Sequence, residues 1–339
     1  MSVPTIKDVA KLAGVSISTV SRVMNESKPV SPESRRKVLD AIKKLDFKPN
    51  ELARSLVMRK SNMIGVIVKD IGISYMAQIV RGIEEIGRMY NYDILLSSTY
   101  GDLEVEHKIV DFMCTKQVEG IIMISERINP EIIFKLKSKN VPFIRLDKFY
   151  EYDDEHSVTI DYKSTCQKMT NYLVDEGHNS IVFISEDVTS RIGREKLLGF
   201  REGVFERNVK SSIINAKDIT VQTGYDMGKD IFKLIKENNA TVVFASEDSL
   251  AIGFISYCYD NGLKVPQDIS VAGFGDDLIA SIYRPALTTI QEPYYDMGAI
   301  SMRKLIKDLR NEEKLKEVTL LPSRIVERGS VATFTKKNK

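Results

Sequence analysis

The sequence is poor in the residues that staple or metallate a fold. Its three cysteines, Cys114, Cys166 and Cys258, are odd in number, far apart and never spaced CxxC, which argues against a disulfide framework and a zinc site and predicts buried thiols. Three histidines, His107, His156 and His178, are equally scattered and unpaired with acidic motifs, so neither metal chemistry nor any cofactor is expected. No apolar run approaches the roughly 20 residues of a membrane span, and the N-terminus lacks the basic-then-apolar pattern of a leader. The expectation is a cytoplasmic protein without a membrane partner. Catalytic motifs are missing too: there is no P-loop, strand-following GxGxxG, nucleophile elbow or HExxH. The glycines of RGIEEIG and GREKLLG are wrongly spaced and sit inside helix-like segments, so they read as packing positions, and no enzyme is expected.

What is present is a long chain with a lopsided charge. At 339 residues and 43% hydrophobic it can fill more than one core. Residues 1–60 carry 13 Lys and Arg against 6 Asp and Glu, a charge of +7, while residues 61–339 carry 36 against 41, or −5. A basic head on a mildly acidic body points to a polyanionic partner for the head, because neutralised phosphates release counterions. Beyond residue 60, short apolar runs (MIGVIV 63–68, DILLSS 93–98, GIIMIS 120–125, PFIRLD 142–147, SIVFIS 180–185, TVVFAS 241–246, ISVAGF 269–274) alternate with helical stretches such as 77–90, 104–116 and 225–238. This rhythm predicts parallel sheets with helices on both faces, in two sets at about 61–160 and 161–290, with a ligand cleft at the carboxyl ends of the strands.

The head begins with TIKDVAKLAGVSISTVSRVMN, residues 5–25. Thr5 caps a first helix with Ile6, Val9, Ala10 and Leu12 or Ala13 inward, Gly14 permits a tight turn, and Ser16 caps a second helix. On that second helix Val20 and Val23 face the core and leave Ile17, Ser18, Ser21 and Arg22 outward. A third helix from about Pro32 to Leu45 closes the bundle through Val38, Ile42 and Leu45. The pattern is a helix-turn-helix unit for double-stranded DNA. Arg22 can grip guanine O6 and N7, Ile17 and Ser18 stand at base edges, and Thr19, Ser16 and Asn25 suit phosphates; Thr5 and Ser21 complete the expected DNA-facing set.

IKDVAKLAGVSISTVSRVMN, KPNELARSL, SVTIDY, EGH and LPSRIVERGS together resemble the lac repressor and galactose repressor family of bacterial regulators. The resemblance covers the whole chain. It implies an all-α helix-turn-helix head (1–48), a hinge helix or linker (49–60), and an α/β periplasmic-binding-protein-like body (61–335) of two doubly wound parallel-sheet subdomains. One subdomain would take about 61–160 plus 291–320 and the other about 161–290 plus 321–335, before a tail at 336–339. It also implies a homodimer on a pseudo-palindromic operator. The hinge, with Asn50, Ala53, Arg54 and Leu56, would form on DNA, and Leu56 would wedge between central base pairs of the minor groove.

The body departs from sugar-binding members, which carry an arginine where Lys196 stands and an aspartate where Gly275 stands; glycine cannot accept hydroxyl protons. Lys196, Asp248, Asp276 and Arg284 remain as candidate cleft residues for a local repressor answering to a sugar or nucleoside. RGIEEIGRMYNYDILLS, KQVEGIIMIS and RPALTTIQEPYYDMGAISMRKLIK instead resemble the branch of the family that controls carbon catabolism. Its partner is a protein corepressor, the phosphocarrier HPr phosphorylated on serine, or a Crh-like paralogue, with phosphosugars as a further ligand. The resemblance assigns the corepressor contact to Tyr295, Asp296, Ala299, Ile300, Arg303 and Lys307. Helical spacing puts Tyr295, Ala299, Arg303 and Lys307 on one outward stripe, where Ala299 would admit a partner helix and the cations would meet its phosphate.

Overall fold

A computed structural model of the chain describes residues 4–25, 28–47, 61–73, 75–124, 129–146, 157–186, 188–312 and 318–335, with Asn25 described by its backbone alone. The chain divides into two compact units, Met1–Ser61 and Asn62–Lys339.

In the head, helix α1 spans Ile6–Ala13, α2 Ile17–Asn25 and α3 Pro32–Leu45. The Thr5 amide and hydroxyl both donate to Asp8 Oδ2, at 2.8 and 2.7 Å, and these bonds hold the Asp8 carboxyl below its ordinary range. Gly14 ends α1 at φ +66°, a left-handed conformation that a side chain would strain. Ser16 Oγ accepts the Thr19 amide at 3.2 Å and starts α2, while Ser31 with Pro32 at the first helical position starts α3. Val9, Ala10, Ala13, Val20, Val23, Val38, Ala41 and Phe47 form the core. Of the two residues expected to compete for the inward position at the end of α1, Ala13 takes it and Leu12 is half exposed. Val9, Ala10 and Ala13 share one helical face; Leu12 lies off it.

The body runs β1 Met63–Val68, α4 Met76–Met89, β2 Asp93–Ser98, α5 Leu103–Thr115, β3 Gly120–Ile124, α6 Pro130–Ser138, β4 Phe143–Leu146, β5 Ser157–Ile160 and α7 Tyr162–Asp175. It continues with β6 Ser180–Ser185, α8 Arg191–Glu206, β7 Lys210–Asn215, α9 Val221–Asp226, α10 Gly228–Asn238, β8 Val242–Ala245, α11 Asp248–Asp260, β9 Ser270–Ala272 and α12 Leu278–Ile282. The closing elements are β10 Thr289–Gln291, α13 Tyr294–Leu309, β11 Thr319–Leu321 and β12 Arg324–Val326. A six-stranded parallel sheet has the order β11-β5-β4-β3-β1-β2, and a four-stranded parallel sheet the order β7-β6-β8-β9. An antiparallel pair, β10 with β12, joins late segments. Helices cover both faces, so β3 and β6 are buried along their whole length, which is why their sequences are unbroken apolar runs.

Helices α4 and α13 meet backbone to backbone. A Cβ built on Gly82 would lie 2.2 Å from the Tyr295 carbonyl oxygen, and one on Gly298 2.1 Å from that of Ile79. Met297, Met302 and Leu305 then join Ile79, Ile83 and Ile86 in the core beside the six-stranded sheet.

The end of the chain is clasped to the four-stranded half. Phe334 donates its amide to the Glu176 carbonyl at 2.7 Å and its ring stacks on His178 at 6.0 Å, while Thr333 Oγ1 donates to Glu176 Oε2 at 2.6 Å. His178 is buried, bonds Thr241 Oγ1 through Nδ1 at 2.8 Å, and burial pushes its pKa down to about 4. The unfolded chain therefore binds the proton more tightly. The stability this neutral imidazole contributes is complete above its unfolded pKa of about 6.5 and is lost as pH falls from there toward 4, a few kcal/mol in all. Urea midpoints for the wild type should fall more between about pH 7 and pH 5 than those of His178→Gln; parallel pH profiles would rule out this role.

Candidate nucleic-acid interface and effector cleft

The second helix of the head presents Ile17, Ser18 and Arg22 to solvent, with Ser21 and Thr19 half-buried behind them and Val20 and Val23 sealed inside. Ser16 Oγ bonds Ser18 Oγ at 2.7 Å and Thr19 Oγ1 at 2.9 Å, so the hydroxyls at the helix start form one linked group. Thr5, one of the expected DNA-facing residues, has its amide and hydroxyl hydrogens engaged by Asp8. The side chain of Asn25 and all of Asn50, Ala53, Arg54 and Leu56 lie outside the described residues, and with them the hinge helix. An exposed guanidinium, a hydroxyl cluster and an isoleucine on one short helix match the depth and donor pattern of a major groove.

Of the four candidate cleft residues, Asp248 and Asp276 come shortly after the ends of β8 and β9, Lys196 lies within α8, and Arg284 follows α12. Lys196, on α8, is fully buried; its Nζ reaches Glu186 Oε1, Glu247 Oε1 and the Ser246 carbonyl, each at 2.8 Å. The same Nζ lies 4.2 Å from the centre of the Phe274 ring and 5.7 Å from that of Tyr162. Asp248 is buried, accepts from Thr289 Oγ1 at 2.5 Å and the Asp277 amide at 3.0 Å, and burial raises its pKa to about 7. Gly275 sits at φ +133°, and a Cβ there would lie 3.5 Å from Asp248 Oδ2 and 3.6 Å from the Tyr294 hydroxyl. An aspartate at this position would strain the turn and set a second carboxylate against the first. Asp276 pairs with Arg328 at 2.5 Å and accepts from Gln291 at 2.8 Å. Arg284 is exposed and donates to the carbonyls of Ser281, Ile282 and Tyr283; its observed bonds stay with its own turn and reach none of the other candidates.

Glu186, Glu247, Glu292 and Tyr162 went unpredicted as cleft residues. One signal was there: the β6 and β8 segments both run into Ser-Glu-Asp, at 185–187 and 246–248, and carboxyl ends of parallel strands are where sites form.

The expected corepressor stripe on α13 needs correction. Ala299 is buried against α4, its amide nitrogen 2.9 Å from a Cβ built on Gly82, so its small size serves the chain's own helix packing rather than a visiting helix. Tyr295 is half-buried in the same seam, donating to Glu85 Oε2 at 2.7 Å, with the Arg81 guanidinium 6.0 Å from its ring centre. The accessible line lies one step round the helix. Asp296 and Arg303 are exposed, and Ile300 and Lys307 half-buried, at a spacing that keeps all four on one face.

A basic helix-turn-helix head and a body of two parallel sheets with residues gathered at the strand ends define a DNA-binding transcriptional regulator. Residues 5–50 match the description "Bacterial regulatory proteins, lacI family", and residues 170–331 the periplasmic binding protein-like domain. Catabolite control protein A of Priestia megaterium is 36% identical over 96% of this chain and 98% of its own length. Among solved structures, the lac repressor dimer bound to operator and the anti-inducer ONPF aligns at TM-score 0.87 and 25% identity over 98% of this chain and all of that one. The transcription regulator CcpA of Lactococcus lactis aligns at TM-score 0.71 and 28% identity over 79% of this chain and 98% of that one. The protein belongs to the LacI family.

Proposed function

We propose that the protein is a regulator of carbon catabolite repression that binds pseudo-palindromic catabolite-response elements as a homodimer and is activated by serine-phosphorylated HPr or a Crh-like paralogue. The observation that carries the partner is the open face of α13: an exposed guanidinium at Arg303, a second cation at Lys307, and Ile300 with Asp296 beside them. A phosphoserine on a helix meets such a face through charge-assisted bonds to the guanidinium. Similarity to catabolite control proteins supports the same reading. For the dimer, Leu278 and Ile282 lie one turn apart on α12 and are largely exposed, an apolar pair suited to a second copy. Two-fold symmetry of the protein then asks for two-fold symmetry in the operator.

Titration of operator DNA at fixed salt, with HPr, with serine-phosphorylated HPr and with neither, tests this. Only the phosphorylated form should tighten binding, and Arg303→Ala should remove a gain on the order of 2 kcal/mol, roughly thirtyfold. Indifference to HPr in either form would refute the corepressor.

A further inference from the structure

Buried side chains run in continuous contact from one half of the body to the other. The Lys196 ammonium is held between Glu186 and Glu247 and over Phe274. Beside it, Tyr162 stacks on Phe274 with ring centres 6.0 Å apart and donates its hydroxyl to Glu292 Oε2 at 2.7 Å. The other Glu292 oxygen accepts from the Tyr294 hydroxyl at 2.9 Å, and the Tyr294 ring stacks on Tyr75 with centres 4.8 Å apart and planes 15° from parallel. Tyr162 belongs to the core of the four-stranded half, Tyr294 to that of the six-stranded half, and Glu292 joins them. Lys196, Tyr162, Glu292 and Tyr294 are each at most 4% exposed.

Two carboxylates and an aromatic face around an ammonium are the chemistry of an amine-binding cage. Here the amine comes from the chain itself. The cage is stiff, since removing the cation would take away the ammonium that two carboxylates, Glu186 and Glu247, share in a buried setting. The same carboxylates, with Glu292, oppose the entry of a phosphate ester.

We propose that Lys196 is a built-in ligand of the cleft: its caged ammonium, continued by the Tyr162–Glu292–Tyr294 clasp, holds the two halves in one arrangement on which operator affinity depends, with no small molecule required. Lys196 acts here as a positioning residue. Full-length wild type, Lys196→Ala and Tyr162→Phe are compared in operator titrations and thermal melts, each with n-propylamine, with propionate and with neither. Lys196→Ala should weaken operator binding about tenfold, within the range of inter-site coupling, and melt earlier. Propylamine, which supplies the missing ammonium on the three-carbon stem that the substitution removes, should restore both properties; propionate should restore neither. Tyr162→Phe keeps the ring and loses the hydroxyl, so it should weaken operator binding in a way the amine cannot repair. Wild type should ignore all additives. Unchanged operator binding by Lys196→Ala, or a loss that propylamine leaves in place, overturns the proposal. If Lys196→Ala does not fold without amine, refolding in propylamine supports it and failure to refold there refutes it, as does unchanged operator binding by Tyr162→Phe. All arms are run without HPr, so the outcome stands apart from that of the corepressor reading.

Discussion

Gly82→Ala is expected to destabilise the body by about 3 kcal/mol, the upper part of the range for overpacking a rigid contact. The added methyl would stand 2.2 Å from the Tyr295 carbonyl oxygen and 2.9 Å from the Ala299 amide nitrogen, both backbone atoms with no rotamer to retreat into. The two helices must separate, and Met297, Met302 and Leu305 lose packing against Ile79 and Ile83. For a unit of this size the thermal midpoint should fall by roughly 6–12 °C. Gly262→Ala is the control. That glycine has φ +74° with nothing within 4 Å, so only the left-handed strain of about 1 kcal/mol applies. Equal losses in the two variants would show that the α4–α13 approach is not what holds this half together. A second readout links the seam to function: Gly82→Ala moves Tyr295 and, through α13, Arg303, so binding of a phosphorylated partner should weaken along with stability.

That seam also shows where sequence reasoning reached and where it stopped. The glycine spacing in RGIEEIG marked Gly82 and Gly87 as packing positions, and both do pack, against the Tyr295 backbone and Met302. Helical period placed Tyr295, Ala299, Arg303 and Lys307 on one stripe, yet period alone cannot tell which stripe a neighbour covers. The covering helix is far off in the chain, with Glu85 and Tyr295, which bond across the seam, 210 residues apart, and its side chain at the crossing is missing because the residue is glycine. Strands divided along the same line. MIGVIV and SIVFIS have the bounds of β1 and β6 because a strand buried by helices on both faces reads as a short apolar run ended by polar residues, while DILLSS has those of β2, an edge strand that is only half-buried but whose Ile-Leu-Leu still stands out. KSSIIN, strand β7, was passed over: it lies at the sheet edge, half of it faces water, and only Ile213 and Ile214 are strongly apolar. Strands β10, β11 and β12 have three residues each, too few for any period to declare itself. In the cleft, Lys196 stood out as a departure from the family pattern, but its partners at 186 and 247 come together only once β6 and β8 pair side by side.

Arg22→Ala is expected to lower affinity for a specific operator by 1–3 kcal/mol, roughly 5- to 150-fold, while affinity for scrambled DNA of the same length changes far less. The side chain is exposed on α2 and belongs to none of the head's core contacts, so the melting temperature should stay put and any loss belongs to recognition. Arg22→Lys should recover little of the specific affinity although it keeps the charge, because an ammonium cannot make the paired bonds that a planar guanidinium makes to O6 and N7 of guanine. Salt dependence separates the two roles the residue could have. A base reader loses discrimination while the slope of log affinity against log salt is nearly kept; a phosphate contact loses affinity equally on every sequence and reduces the magnitude of that slope by about one. Equal loss on operator and scrambled DNA, with Arg22→Lys restoring both, would move Arg22 to the backbone and leave base reading to Ile17 and Ser18 at the start of the same helix.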